Sequence, residues 1–248
     1  MAVDPRLALV REPRVQRFGL TERRLHTAHA AAFSILLASG LALYLPFVAQ
    51  VFSDRPLFKS IHLAAAAGWL TALALVAVLG DRDALRRTRR EIERFDADDL
   101  LFLRRRPAPS GRFNGGQKAH AIVQAGLAVL FTASGALLWL GERDTAWRLP
   151  GTIALHDAAT LLVAVLVGGH VATAMSRPGS LEGIWRGTVP ASYASEHHAK
   201  WRPAAAPGDG ATAAPAPARP ATARIALALL VGAAGLAAAI ALVRDVVG

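Results

Sequence analysis

The chain has 248 residues, 53% of them hydrophobic, a formal net charge of +10 and no cysteine. So high a hydrophobic share is unusual for a soluble domain of this length. The lack of cysteine excludes iron–sulfur ligation by this chain and covalent haem attachment through a Cys-x-x-Cys-His motif.

Five apolar stretches reach the length of about 20 residues that a bilayer crossing requires. They are Thr27–Phe47, Ser60–Gly80, Lys118–Leu140, Thr152–Met175 and Ala223–Val243. They predict an all-α membrane protein with a four-helix transmembrane bundle in residues 1–202. A Pro/Ala-rich linker at 203–222 then loosely ties on a fifth, C-terminal transmembrane helix at 223–248. The first stretch is too long for a signal peptide and lacks a clear cleavage site.

The positive charges lie mainly on one side of the predicted membrane. Of the 28 Lys and Arg residues, 23 lie in the N-terminal tail and in the second and fourth connections, and 5 lie on the other side. This distribution follows the positive-inside rule. It predicts a multi-pass protein of the bacterial inner membrane with a cytoplasmic N-terminus and a periplasmic C-terminus, and it argues against nucleic-acid binding. Residues 80–106 alternate in charge and predict a helix at the cytoplasmic surface.

Four histidines lie in or beside the apolar stretches, where ionisable residues are rare and are functional candidates. His156 and His170 are 14 residues apart, so on a helix they share a face and lie about 21 Å apart. The alternating direction of the spans places His62 near the outer face, at the depth of His156. His26 lies near the inner face, at the depth of His170.

Two imidazoles facing each other across a bundle core match the axial ligands of a six-coordinate b-type haem. The sequence therefore predicts two b-type haems, with iron bound by the pairs His62/His156 and His26/His170. Zinc prefers three or four ligands on one centre, which isolated pairs do not supply. His29, one turn after His26, is an alternative ligand at the inner site.

The other three histidines give weaker indications. His120 lies at the cytoplasmic start of the third span, which predicts an interfacial position. His197 and His198 follow the fourth span and lie too far out to be ligands. They are expected to shape a contact with a partner.

Four segments carry a family signature, with the Asn-x-Gly-Gln-Lys opening of the third helix the most specific. They read RFGLTERRLHTAHAAAFSILLASGLALYLP, FKSIHLAAAAGW, GRFNGGQKAHAIV and HDAATLLVAVLVGGHVATAMSRPGSLEGIWRGTVPASYASEHHAKW. In these segments the chain resembles the gamma subunit of membrane-bound formate dehydrogenase. That subunit is a dihaem cytochrome b of the cytochrome b561-like group. The resemblance runs from about Arg17 to Trp201, and the fifth helix is not part of it.

The resemblance implies a quinone pocket near His170, formed by Asn114, Gly116 and Gln117, for menaquinone or ubiquinone. Asn114 also suits the cap of a helix. The implied partners are an iron–sulfur beta subunit and a catalytic alpha subunit that contains molybdenum or tungsten. The chain would then transfer electrons and reduce quinone without itself oxidising formate.

Two other functions stay open on the sequence. The chain could be the cytochrome b anchor of another dehydrogenase, such as a hydrogenase or a thiosulfate or other molybdopterin oxidoreductase. It could also be a non-redox membrane scaffold or a small transporter. The spans show no clear broken helices or midplane polar residues, which would favour a transporter.

Overall fold

The computed structural model describes residues 12–45, 47–48, 50, 54–202 and 221–247. The elements are β1 (Arg14–Gln16), α1 (Leu20–Tyr44), α2 (Arg55–Leu79), α3 (Arg82–Glu93), α4 (Ala97–Leu103), α5 (Gly115–Gly141), α6 (Thr152–Met175), α7 (Pro178–Arg186), β2 (Thr188–Pro190), α8 (Ala191–His197) and α9 (Thr222–Val247). A 3₁₀ turn, Thr145–Trp147, precedes α6. Helices α1, α2, α5, α6 and α9 are long and apolar enough to cross a membrane. The predicted all-α membrane fold is confirmed. Most of the predicted linker, residues 203–220, lies outside the described part of the chain.

Short polar residues fix where several helices begin. The Asp54 side chain accepts a hydrogen bond from the Leu57 amide at the start of α2, where Pro56 occupies the first turn. Asp81 caps α3 in the same way. Helix α6 instead follows Gly151, whose φ of 82° is a left-handed conformation that favours glycine.

The centre of the bundle is built from one or two residues of each of the first four long helices. Phe33, Trp69, Leu127, Ala159 and Val163 form this core. Large apolar side chains on the outer faces stay exposed. Examples are Val129 on α5, Val165 on α6 and Leu229 on α9. Apolar surface on this scale is unfavourable in water and favourable in contact with lipid.

One end of the bundle, which we call the basic end, carries β1, β2, α3, α4, α7 and α8. Strands β1 and β2 pair antiparallel with Val15 opposite Val189. Arg112 forms ion pairs with Glu22 of α1 at 2.8 Å and with Glu91 of α3 at 2.6 Å. These contacts tie the start of α1 to the connection between α2 and α5.

Residues 80–106 form two helices rather than the one helix predicted. The break falls between Glu93 and Ala97 because Asp96 caps α4 in a reciprocal capping box with Asp99. Lys200 forms ion pairs with Asp96 at 2.5 Å and with Asp98 at 2.6 Å. Its hydrogen bond lowers the pKa of Asp96 to about 2. The segment after α8 is thus fastened to the start of α4.

His198 does not form the expected partner surface. Its side chain is buried at 3% exposure, and its Nδ1 donates a 2.7 Å hydrogen bond to the carbonyl of Gly111. Burial, and next the positive charge of Arg17, lower the pKa of His198 to about 4. His198 is a structural residue that holds the chain preceding α5.

Helix α9 packs closely along α2, so the fifth helix is held more firmly than a loose linker suggests. A Cβ atom on Gly235 would lie 2.0 Å from Thr71 Oγ1, so only glycine fits at this contact. The Arg224 guanidinium donates to the carbonyls of Val78 and Gly80, both at 2.7 Å. At its other end, Asp245 of α9 forms an ion pair with Arg143, which lies just after α5.

Substituting Gly235→Val should separate α9 from α2 and lower stability by about 1–3 kcal/mol, as other overpacked contacts do. The thermal unfolding midpoint of the purified chain in detergent measures this effect. Gly232→Val is the matched control, because a Cβ atom there would meet no atom of the described residues within 4 Å. Equal midpoints for the two variants would show that the Gly235 contact does not hold α9 in place.

The basic end should weaken as the pH falls from 6.5 toward 4. The folded-state pKa of His198, about 4, lies below its ordinary value of 6.5. The unfolded state therefore binds more protons in this window, and up to about 3 kcal/mol of stability is lost on acidification. Faster amide hydrogen exchange of residues 188–198 would report this loss of stability.

The variant His198→Gln removes the titrating ring and should flatten this pH dependence. His197→Gln is the control, since the His197 side chain is half exposed. A His198→Gln variant with the same decline between pH 6.5 and 4 would show that another group titrates. A decline that begins only below pH 4 would indicate the Asp96 carboxylate instead.

Candidate functional site

Two histidines face each other near the end of the bundle opposite the basic end. His62 lies in the third turn of α2 and His156 in the second turn of α6, and both helices start at this end. Their ring centroids are 6.4 Å apart, with an angle of 68° between the ring planes. We call this arrangement the outer pair.

A second pair lies toward the basic end. The rings of His26, on α1, and His170, on α6, have centroids 6.3 Å apart and an interplanar angle of 42°. His120, on α5, stacks on His170 with centroids 4.7 Å apart and planes 7° from parallel. The inner pair, His26 and His170, therefore has a third imidazole against it.

Both pairs have the separation that a metal ion between two imidazoles requires. A ring nitrogen lies about 1.1 Å from its centroid and metal–imidazole bonds are about 2.0 Å long. Two imidazoles on opposite sides of one ion thus have centroids about 6.2 Å apart, close to the 6.3 and 6.4 Å observed. The stacked His120 and His170 rings are too close for an ion between them.

His29 is engaged in a way that disfavours it as a metal ligand. The indole N–H of Trp69 donates to His29 Nδ1 at 3.2 Å, and the His29 ring stacks on Phe33. A neutral imidazole that accepts at Nδ1 carries its proton on Nε2 and has no second lone pair for a metal. Of the two inner candidates on α1, the geometry favours His26.

Each histidine of the outer pair is bonded to a serine on the preceding long helix. Ser39 Oγ lies 2.9 Å from His62 Nδ1, and Ser134 Oγ lies 2.8 Å from His156 Nδ1. Both serines were passed over in the prediction of site residues, because serine within an apolar stretch resembles a packing residue.

An apolar cavity of about 410 Å³ opens beside the outer pair. Its wall includes both outer histidines, four large aromatic side chains and residues of all five long helices. The aromatic members are Phe33, Trp69, Phe131 and Trp139. Helix α9 contributes Gly235, Ala238 and Leu242, so the fifth helix closes one side of this space.

Trp139 leaves a buried donor in this cavity. Its Nε1 atom is shielded from solvent and has no hydrogen-bond partner among the described residues, and an unsatisfied buried donor costs about 1–3 kcal/mol. A bound group with an acceptor, such as a carboxylate, would satisfy it. The guanidinium of Arg143 lies 3.8 Å above the Trp139 ring, so positive charge is close to the same place.

The residues expected to bind quinone form the start of α5. Asn114 Oδ1 accepts from the Gln117 amide at 2.9 Å, and Gln117 Oε1 accepts from the Asn114 amide at 3.1 Å. This capping box leaves the Gln117 side-chain NH₂ group as a donor. A Cβ atom on Gly116 would lie 3.2 Å from Phe102 Cε1. The absence of a side chain at Gly116 therefore lets α4 pack closely against α5.

The start of α5 is close to the inner pair through His120. Gln117 and His120 are three residues apart and share a helix face, and the His120 ring stacks on His170. The sequence predicted an interfacial position for His120, and its stacking on His170 was not predicted. The three-residue spacing after Gln117 is the signal that could have drawn attention to it.

A multi-ligand metal centre of the zinc type does not occur among the residues that the structure describes. No group of three or more His, Asp or Glu side chains there could hold a metal ion. The histidines of the spans come together instead as two facing pairs at opposite depths.

Comparison with known proteins identifies a family. A profile of the family described as prokaryotic cytochrome b561 matches residues 17–187. The chain is also similar to the formate dehydrogenase cytochrome b556(fdo) subunit of Escherichia coli K12, with 27% identity over 95 residues, or 37% of this chain and 45% of that protein. The corresponding subunits of strains O6:H1 and O157:H7 match equally. The matched part is about half the length of these relatives.

The profile match extends over more than half of the chain, from before α1 to the end of α7. It thus contains α1, α2 and α6, which carry both histidine pairs, and also α5. The chain belongs to the prokaryotic cytochrome b561 family and is a membrane electron-transfer protein with b-type haem.

Proposed function

We propose that this protein is the cytochrome b subunit of a formate dehydrogenase and reduces quinone. The observation that carries the proposal is the placement of two facing histidine pairs, 6.4 and 6.3 Å between centroids, at opposite ends of one membrane bundle. The similarity to the formate dehydrogenase subunit of E. coli supports this choice of partner enzyme.

In this proposal the outer pair holds one b-type haem and the inner pair holds another. Bound haem supplies a one-electron ferric/ferrous couple. His156 and His170 lie on one helix at a spacing of about 21 Å, so α6 places the two pairs near opposite faces of the membrane. The chain itself provides the scaffold that spans this distance.

The surroundings of the outer pair suit a large flat cofactor with acidic groups. The cavity walls are apolar and aromatic, which excludes water from the imidazoles. The free indole N–H of Trp139 and the nearby Arg143 suit the carboxylates that haem carries. The fit rests on the histidine spacing, the cavity and this unsatisfied donor together.

The direction of electron flow follows from the proposed orientation. With the basic end in the cytoplasm, electrons would enter at the outer pair from a periplasmic iron–sulfur subunit and would leave at the inner pair. Each electron then moves against the membrane potential, which costs about 2.3 kcal/mol per 100 mV for a full crossing. A strongly reducing donor such as formate can drive this step. The formate-oxidising site would belong to a separate alpha subunit.

Quinone reduction is assigned to the start of α5. The Gln117 side-chain NH₂ group would donate a hydrogen bond to a quinone carbonyl, while its Oε1 stays in the capping box with Asn114. His120, one turn further along, is in contact with the inner pair. Cytoplasmic water would supply the protons that the reduced quinone takes up.

A related assignment keeps the same cytochrome but couples it to another dehydrogenase, such as a hydrogenase. The histidine pairs serve either enzyme equally, and the genes beside this one would identify the partner. A role as a non-redox scaffold would not explain the two facing histidine pairs or the apolar cavity beside the outer pair.

Replacing one ligand of the outer pair should remove one haem and keep the other. Purified wild-type chain is expected to contain two b-type haems, and His62→Ala and His156→Ala should each contain one. Pyridine haemochrome absorbance per chain measures this number. His197→Ala is the control, as this half-exposed ring lies outside the spans. Unchanged haem content in both outer-pair variants would rule out the ligand assignment.

The role of Gln117 as a hydrogen-bond donor to quinone needs a variant that keeps the helix cap. Gln117→Leu would remove the donor and also break the cap. Gln117→Glu keeps the capping oxygen and removes the proposed donor. Quinone-dependent reoxidation of the haems should slow by roughly 5- to 150-fold, the effect of losing about 1–3 kcal/mol. Haem content and thermal stability should not change.

Asn114→Asp tests the second amide of the expected pocket, since it also keeps its capping oxygen and adds the same charge one turn away. If Asn114→Asp keeps wild-type reoxidation while Gln117→Glu slows it, the added charge is not the cause and the donor is Gln117. Equal slowing in both variants would contradict a role specific to Gln117. Wild-type quinone turnover in Gln117→Glu would place the quinone pocket elsewhere.

A further inference from the structure

The tripeptide Ala-Ser-Gly occurs twice in the bundle, at residues 38–40 of α1 and 133–135 of α5. Both copies lie beside the outer pair. In each copy the serine contacts a histidine of the following long helix, and the glycine lies against the same ring. The two halves of the bundle thus repeat one arrangement, α1 with α2 and α5 with α6.

Each serine hydroxyl also has a carbonyl partner in its own helix. Ser39 Oγ donates to the Ile35 carbonyl at 2.7 Å, and Ser134 Oγ donates to the Leu130 carbonyl at 2.7 Å. A hydroxyl has only one proton. With this proton donated within its own helix, each serine oxygen accepts from the imidazole, and Nδ1 of the histidine then carries the proton.

This assignment has a direct consequence for the opposite ring nitrogen. A neutral imidazole protonated at Nδ1 has its lone pair on Nε2, which is the form that binds a metal ion. His29, which accepts at Nδ1 from Trp69, is in the other form. The serines thus place a ligand lone pair on each ring of the outer pair.

The glycines complete the arrangement by leaving space for the rings. A Cβ atom on Gly40 would lie 3.3 Å from His62 Cε1, and one on Gly135 would lie 3.7 Å from His156 Cε1. The first distance is shorter than ordinary contact. The His62 ring is therefore held by its hydrogen bond with Ser39 on one side and by the backbone at Gly40 on another.

We propose that Ser39 and Ser134 are positioning residues that fix the tautomer and the ring orientation of His62 and His156 for iron ligation. The inference rests on the proposed role of these histidines as haem ligands. A hydrogen bond accepted from Nδ1–H also makes the imidazole a stronger electron donor. It stabilises ferric iron and lowers the reduction potential of the outer haem relative to a histidine without it.

Ser134→Ala is the sharper of the two tests. Among the described residues, Ser134 Oγ is the hydrogen-bond partner of the His156 ring. The Leu36 carbonyl also lies within reach of His62 and can partly replace Ser39. Ser134→Ala should shift the midpoint potential of one haem upward and leave the other unchanged. It should also speed loss of that haem to excess apomyoglobin by roughly 10- to 100-fold.

Two further variants of the full-length chain make the result specific. Ser134→Thr keeps the hydroxyl and should restore the wild-type potential. Thr132→Val is the matched control, because Thr132 lines the same cavity and donates to the Ala128 carbonyl but does not bond a histidine. If Ser134→Ala fails to fold, Ser39→Ala provides the corresponding measurement at His62, with a smaller expected shift because the Leu36 carbonyl can partly replace Ser39.

The possible outcomes separate this inference from the proposed function. An unchanged potential and haem retention in Ser134→Ala, with one haem missing in His156→Ala, would overturn only the positioning role. Equal shifts in Ser134→Ala and Thr132→Val would also overturn it. No haem lost in His156→Ala would contradict the ligand assignment itself.

Discussion

The main constraint on this structure is that imidazole rings inside a membrane bundle must find hydrogen-bond or metal partners without water. A histidine ring has two nitrogens, and in a low-dielectric interior each needs a partner. At the outer pair, Nδ1 is satisfied by Ser39 or Ser134, and the other nitrogen of each ring is left to a ligand between them. The spacing of 6.4 Å between the ring centroids leaves room for one metal ion. The need to satisfy both nitrogens thus connects the serines, the histidines and the cofactor.

The remainder of the fold keeps these rings at fixed depth and apart from solvent. At the basic end, ion pairs of Arg112 and Lys118 bind the starts of α1 and α5 to the connection between α2 and α5. At the other end, α9 closes the side of the outer cavity through Gly235 and Ala238. Stability and electron transfer therefore share the same contacts, because displacement of α9 would expose the outer site.

Much of this could be predicted from the sequence because each signal was local. Apolar length predicts the spans, and helical periodicity with alternating span direction predicts which histidines share a depth. The position of each histidine along the chain did not reveal the hydrogen-bond and stacking partners of its ring. Whether His26 or His29 faces His170 depends on the Trp69 hydrogen bond, and the stacking of His120 depends on how α5 packs against α6. The burial of His198 likewise follows from the folding of the chain after α7 over residues 110–113, a contact between distant segments.

The central claim is that the two pairs each hold a b-type haem. A reduced-minus-oxidised optical spectrum of the purified wild-type chain, recorded during a redox titration, tests it most directly. The account predicts the absorption bands of b-type haem in two components with separate midpoint potentials. A spectrum without b-type bands, or with a single component that contains one haem per chain, would contradict it.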